Sequence, residues 1–367
     1  MSSFKRRTQS KQVELAPGTR LSPSSASVIT STGIASLDDI LGGGLPLQCL
    51  FTVLAPDNHS AYGELVQKYF IAQGLAAGHT VWVVHEESDA FVQECMWTGS
   101  SPLSTLPNSR AGNEEDQPNQ VDDKIRIAWR YEQMKTFQTT VSSPNSASDD
   151  YCATFDLSCR ISKDVISTAQ SSEKLQCIGV DYAPNTMDVV IQKLQEILKA
   201  SDATQPIRLC IPSLGSPAWG DISSSNLLYF LSRLRSLLKQ HPKACASLSL
   251  APHTSSDKWG GGGWVQKVAW CSDAAITMSA FGADTHLTSL FPSQHGFVQI
   301  HRVPAPNTLL PASDKLSILR GLSSAAGASA GSGENNLAFK CTRKRLVFET
   351  MHLDLEGGVS ERRTTPS

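Results

Sequence analysis

Short apolar runs alternate with stretches that are apolar along one side only, and few architectures accept that alternation. Gln48–Ala55 (QCLFTVLA), Thr80–His85 (TVWVVH), Lys124–Trp129 (KIRIAW), Ile207–Pro212 (IRLCIP), Ala244–Leu250 and Ala274–Ala280 read as strands. Between them lie helices: Ser60–Ala77, with Ser60 as N-cap and Gly78 at its stop, and Pro184–Lys199, with Met187, Val190, Leu194, Ile197 and Leu198 on one face. Ser223–Lys239 is a strongly apolar helix, and Gly263–Cys271 a short one. Strands that read as unbroken apolar runs are buried on both faces, which implies a mostly parallel twisted sheet flanked by helices. Gly296–Val303 and Leu337–Leu353 add strands with no helix between them, so the C-terminal edge is expected to be antiparallel. Apolar positions are odd at Leu337, Phe339 and Cys341 and even at Leu346 and Phe348, which demands a turn or bulge at Thr342-Arg343-Lys344-Arg345.

Polar Pro/Ser/Asn-rich breaks interrupt this order at 99–122, 142–150 and 311–335. Apolar segments resume after each, so they read as insertions in one domain spanning 28–355. Residues 1–27 and 356–367 read as disordered tails, the first Ser/Pro-rich and basic. The nine cysteines are scattered without metal spacing, which predicts buried reduced thiols and no metal. No signal peptide or membrane span is legible, so a cytoplasmic and nuclear protein is expected. A net charge of −2 provides no general basic field, and nucleic acid could be met only by local patches.

The most telling segment is Ser31–Leu47, STGIASLDDILGGGLPL. Leu37, Ile40 and Leu41 give a short helix one apolar face, Ser36 can cap it, and Gly42-Gly43-Gly44 ends it. This wording resembles the segment before the nucleotide loop of RecA and KaiC-type ATPases. There the next strand leads into Gly-x-x-x-x-Gly-Lys-[Ser/Thr], whose amides, lysine and hydroxyl hold phosphates and Mg²⁺. Here the corresponding loop is Pro56, Asp57, Asn58, His59, Ser60, Ala61, Tyr62 and Gly63. It has no earlier glycine, no lysine before Lys68, and a carboxylate at Asp57 where phosphates would lie. The strand that should end in a metal-binding acid ends in Pro212 and Ser213, and His85-Glu86-Glu87 reads as solvated residues at a strand end. The loop is therefore not expected to hold ATP by itself, and no catalytic residue is assigned.

Other signals fail their context. Gly327-Ala328-Ser329-Ala330-Gly331 matches a nucleophile elbow but lies in a low-complexity stretch with no strand before it. Trp259 and Trp264 bracket a glycine run and read as tryptophans pinning a loop. Candidate RNA contacts are Arg343, Lys344 and Arg345 first, then the set Arg233, Arg235, Lys239 and Lys243, and Lys5-Arg6-Arg7. Arg235 and Lys239 share a helix face and read as a surface stripe.

Seven segments in order carry a wider resemblance: Pro17–Pro23, STGIASLDDILGGGLPL, GHTVWVVH, KIRIAWRY, TFDLS, IPSLGSPAWG and LAFKCTRKRLVFE. Together they are similar to the PAXNEB family of Elongator subunits. The resemblance implies a RecA-like fold without intact nucleotide motifs. It also implies a hetero-hexameric ring with two paralogous chains, the fifth and sixth subunits, docked on the catalytic Elongator subcomplex. That ring binds tRNA during wobble-uridine modification, and ATP would sit at its interfaces rather than in the isolated chain. Two other functions are open from the sequence: a divergent RecA/KaiC-type ATPase in its own right, and a scaffold without RNA contact.

Overall fold

The computed structural model describes residues 15–99, 151–183, 185–200, 205–321 and 337–351. The strand expected at Lys124–Trp129, the breaks at 100–122 and 142–150, the Gly327–Gly331 motif, Lys5-Arg6-Arg7 and the final tail lie outside the described residues.

The chain opens with β1 (Thr19–Leu21) and β2 (Val28–Thr30), then α1 (Ala35–Ile40), β3 (Leu45–Pro46), β4 (Leu50–Leu54) and α2 (Tyr62–Ala76). Next come β5 (Thr80–Val84), α3 (Ser88–Gln93), β6 (Met96–Trp97), β7 (Asp156–Arg160), α4 (Lys163–Ser171), β8 (Leu175–Ile178) and α5 (Thr186–Ala200). They are followed by β9 (Ile207–Leu214), α6 (Ser224–Gln240), β10 (Ala244–Leu250), α7 (Asp257–Gly260), α8 (Trp264–Cys271), β11 (Ala274–Ala280) and α9 (Thr285–Leu290). The chain closes with β12 (Gly296–Arg302), α10 (Ser313–Leu316), α11 (Ile318–Gly321), β13 (Leu337–Cys341) and β14 (Leu346–Thr350).

Among the described residues nine strands form the main sheet, in the order β14-β13-β12-β11-β4-β10-β9-β5-β8. From β8 to β11 every pairing is parallel, and β11 to β14 are joined antiparallel. The expected architecture is thus present: a mostly parallel sheet flanked by helices, with antiparallel C-terminal strands. β4 sits at its centre with Phe51 beside Ser247 of β10 and Ala274 of β11. Its side chains alternate between two cores. Phe51 and Val53 join Phe70 and Leu37 on the face of α1 and α2, and Leu50 and Leu54 join Leu194, Leu231 and Val268 on the face of α5, α6 and α8.

Several expectations are corrected. Residues 15–27 are not tail, because β1 pairs antiparallel with β2 in a small sheet with β3. Part of the 311–335 break is helical: Asp39 accepts the amides of Ile318 and Leu319, both at 3.0 Å, and so caps α11 from a distant segment. Ser36 does not cap α1. Its hydroxyl accepts the Phe348 amide at 2.8 Å and ties that helix to β14. Ser60 does not cap α2, which begins at Tyr62 with Ala61 as its flanking residue. β7, α4 and β8 were not legible. β8, last in the order of the described strands, has four residues with only its first and last buried, too short to display a period.

Candidate functional site

The framework beside the Pro56–Gly63 loop explains the Ser-Thr-Gly segment. Asp38 of α1 is buried, and its carboxylate accepts the Ser31 hydroxyl at 2.5 Å and the Thr32 amide and hydroxyl at 2.7 Å each. Burial raises its pKa to about 6, against the pull of those donors. Gly33 lies in the left-handed region at φ +91°, and a Cβ there would stand 2.7 Å from the Tyr69 carbonyl. Behind this segment, Arg208 of β9 is fully buried. It donates to His79 Nδ1 at 3.0 Å, to the Phe70 carbonyl at 3.2 Å, to the Ser31 carbonyl at 2.8 Å and to the Thr30 hydroxyl. An imidazole whose Nδ1 accepts must carry its proton on Nε2, which lies 2.7 Å from the Pro17 carbonyl. Burial, with Arg208 beside it, lowers the His79 pKa to about 3. These groups hold β2, α2, β5 and β9 together.

The loop itself begins where β4 ends. Pro56 is half-buried, and Asn58, His59 and Ala61 are exposed. Asp57 Oδ1 accepts the His59 amide at 2.9 Å, a local turn, and its Oδ2 has no partner among the described residues. Counting eight residues from Pro56, Tyr62 stands at the lysine position and Gly63 at the hydroxyl position. Tyr62 does not reach into the loop. Its ring packs edge-on against Phe339 of β13, centroids 4.7 Å apart, and lies 6.5 Å from His295. Gly63 is buried, and a Cβ there would meet that of Ala55 at 3.0 Å. Glu64, in the first turn of α2, accepts the Ser213 hydroxyl at 2.6 Å. Ser213 is the residue at the place expected for a metal-binding acid. Two carboxylates, Asp57 and Glu64, therefore flank a helix N-terminus that would otherwise attract phosphate. The next cation along the helix, Lys68, pairs with Glu94 at 2.6 Å.

The family model described as PAXNEB protein matches residues 12–366. The chain belongs to the PAXNEB family. It is 27% identical to the Elongator complex protein 4 of Danio rerio, over 98% of this chain and 90% of that protein. The Elongator complex protein 4 of Xenopus laevis is 28% identical, over 98% and 88%. A crystal structure of a KaiC-like protein from the hyperthermophilic archaeon Pyrococcus horikoshii aligns with 88% of this chain and 99% of its own, at a TM-score of 0.46 and 12% identity.

In this PAXNEB chain the remaining candidates are dispersed. Arg343, Lys344 and Arg345 are exposed at the β13–β14 turn, closed by a Thr342 amide bond to the Arg345 carbonyl at 2.9 Å. The Lys344 carbonyl accepts the Leu157 amide at 2.8 Å, which docks the turn on β7. Arg233 pairs with Asp188 at 2.7 Å. Arg235 and Lys239 are more than a stripe, because both reach the nearly buried Asp273, at 2.9 and 3.2 Å. Glu86 and Glu87 are exposed, and Trp264 is buried with its Nε1 donating to the Thr254 carbonyl at 2.7 Å. Burial raises the thiols of Cys49 and Cys95 to about 12, so they pack as small apolar groups. Among the described residues no group of three or more His, Cys, Asp or Glu could hold a metal, and no helix is long and apolar enough to cross a membrane. Sequence reasoning missed Ser213–Glu64 and Tyr62–Phe339. Nothing in a linear pattern signals contacts across 149 residues or between α2 and β13.

Proposed function

We propose that this chain is a non-catalytic subunit of Elongator. In this reading it alternates with two paralogous RecA-like chains in a hetero-hexameric ring that binds tRNA and supports wobble-uridine modification. The ring docks on the catalytic Elongator subcomplex in the cytoplasm and nucleus. Membership in the PAXNEB family and the name carried by its relatives support the assignment to the complex. The observation that carries the non-catalytic part is Tyr62, which stands at the lysine position and is committed to Phe339 while Asp57 and Glu64 flank the loop. Phosphate would meet two carboxylates there and no lysine or arginine within Pro56–Gly63. ATP, if used, then belongs to ring interfaces, where a neighbour supplies the missing groups. A ring of related chains needs head-to-tail contacts that close on themselves, which a sheet fold can keep after its phosphate loop decays. Arg343, Lys344 and Arg345 are candidate RNA contacts because they are exposed together on one turn.

Co-purification of the tagged full chain from its own cells, with mass determination of the intact complex, tests this. The expected result is a six-membered assembly containing two further chain types, and no ATP turnover above background for the isolated chain. A solitary particle that binds Mg·ATP tightly would overturn it. Charge reversal at Arg343–Arg345 is expected to weaken tRNA binding by the assembly and to flatten its salt dependence. An unchanged slope would remove this turn from the RNA surface.

A further inference from the structure

We propose that the amino end of the sheet carries a groove for single-stranded RNA, with a phosphate held between Arg235, Lys239 and Arg302 and a base stacked on Trp270. The inference rests on the reading of this chain as part of an RNA-binding assembly, but not on the Arg343–Arg345 turn, which lies at the other end of β12. Two adjoining cavities share Arg302. One, of about 260 Å³, is lined by Gln48, Arg235, Lys239, Asp273, Arg302 and Asn307 among others. The other, of about 450 Å³, is lined by Trp270, His301 and Arg302.

The electrostatics of the first cavity favour an anion. Three cations face one carboxylate, and that carboxylate is already engaged. Asp273 Oδ1 meets Arg235 and Lys239, and Oδ2 accepts the Leu50 amide at 3.0 Å. The guanidinium groups are held in place. Arg235 and Arg302 both donate to the Trp270 carbonyl, at 3.5 and 3.0 Å, and Arg302 also to that of Ala269 at 3.4 Å. They thus cap the C-terminal end of α8, where the helix dipole welcomes cations. The same bonds fix them relative to the indole that follows.

Trp270 is the second observation. α8 buries Trp264, Val268 and Ala269, and turns Trp270 outward at 79% exposure. An indole left open beside fixed cations is the pairing that single-stranded nucleic acid uses, since phosphates alternate with flat bases along the strand. A stacked base must be free of its pairing partner, so the ligand is a loop or single strand rather than a duplex. An acidic peptide would use the cations and leave the indole idle. His301 adds no charge, because burial lowers its pKa and its Nε2 lies 2.7 Å from the Thr277 hydroxyl.

The test uses the assembly purified through the full-length chain, and a fluorescein-labelled single-stranded RNA oligonucleotide titrated at several salt concentrations. Trp270→Ala is expected to weaken binding about ten-fold or more with little change in salt slope, and Trp270→Phe to restore most of it. Lys239→Gln should lower the salt slope by about 0.7. Both residues are at the surface, so an unchanged melting temperature separates lost binding from lost folding. If the wild-type assembly binds and both variants match it, the groove is refuted while the RNA-binding assembly stands. Equal losses for a duplex, or displacement of the RNA by polyglutamate that Trp270→Ala does not alter, also refute it. If the wild-type assembly binds no RNA, the broader reading falls and the groove with it.

Discussion

The two ends of the main sheet have been treated in opposite ways. At the amino end Arg208, buried among β2, α2 and β5, gives hydrogen bonds to four different residues, and the Ser-Thr-Gly segment is lashed to Asp38. At the carboxyl end the loop after β4 leaves Asp57 Oδ2 without a partner among the described residues, exposes Asn58, His59 and Ala61, and turns Tyr62 away. Buried polar groups are costly unless satisfied, so a network such as that of Arg208 is hard to lose piecemeal. A loop exposed at Asn58, His59 and Ala61 can change residue by residue at those positions at little cost. The part of the ATPase-like wording that persists is therefore mechanical, and the part that is missing is chemical.

The largest expected effect follows from that contrast. Arg208→Met removes the donor shared by His79, Thr30 and the carbonyls of Ser31 and Phe70, all in the interior. Breaking a buried charged network by deleting one member costs about 3–5 kcal/mol. Urea unfolding should show a loss of that size. A loss below about 1 kcal/mol would mean that the amino end is no more demanding than the loop.

A second test separates the members of the network by pH. Asp38 has a raised pKa, so its contribution is complete below 3.8 and is lost as pH rises through about 6. His79 has a lowered pKa, so its contribution is present above 6.5 and is lost as pH falls toward about 3. Between about pH 6 and 4 the two slopes oppose each other and nearly cancel in the wild type. Asp38→Asn keeps an acceptor for Thr32 but removes one slope. The variant should then lose about 1.4 kcal/mol per pH unit relative to wild type over that window, close to 3 kcal/mol in all. Denaturant midpoints at pH 6, 5 and 4 measure it. Parallel curves for the two proteins would show that Asp38 and His79 do not titrate against each other.

How much of this was legible depends on how local the cause is. β10 and β11 were read with their bounds as observed, because each is a mostly apolar run, β10 buried along its whole length and β11 from Ala274 to Met278. A break at Thr342–Arg345 was legible from a change in side-chain parity, which either a turn or a bulge produces; the β13–β14 pairing makes it a turn. The absence of lysine from Pro56–Gly63, and of any glycine before Gly63, was equally plain. Ser36 was misread because its partner, the Phe348 amide, lies 312 positions away. A serine before a helix looks like a cap whether or not it serves as one. Arg235 and Lys239 looked like a surface stripe because Asp273, which draws them inward, comes from the start of β11.

The smallest expected effect is the sharpest test of the loop after β4. Tyr62→Lys restores the side chain that phosphate-binding loops place at this position. It removes an edge-on aromatic contact with Phe339 and should cost about 0.5–1.5 kcal/mol. It should not confer ATP binding on the isolated chain. Gly63 still offers no hydroxyl, and the Cβ that a serine or threonine needs would press on Ala55 at 3.0 Å. Asp57 and Glu64 would still face the phosphates, and the new ammonium group would have carboxylates to pair with before any nucleotide arrived. Isothermal titration with Mg·ATP is therefore expected to show no heat of binding for this variant, as for the wild type. Saturable binding after this one change would mean that the carboxyl end is a single side chain away from function. The contrast between the two ends would then be one of recent substitution, not of physical commitment.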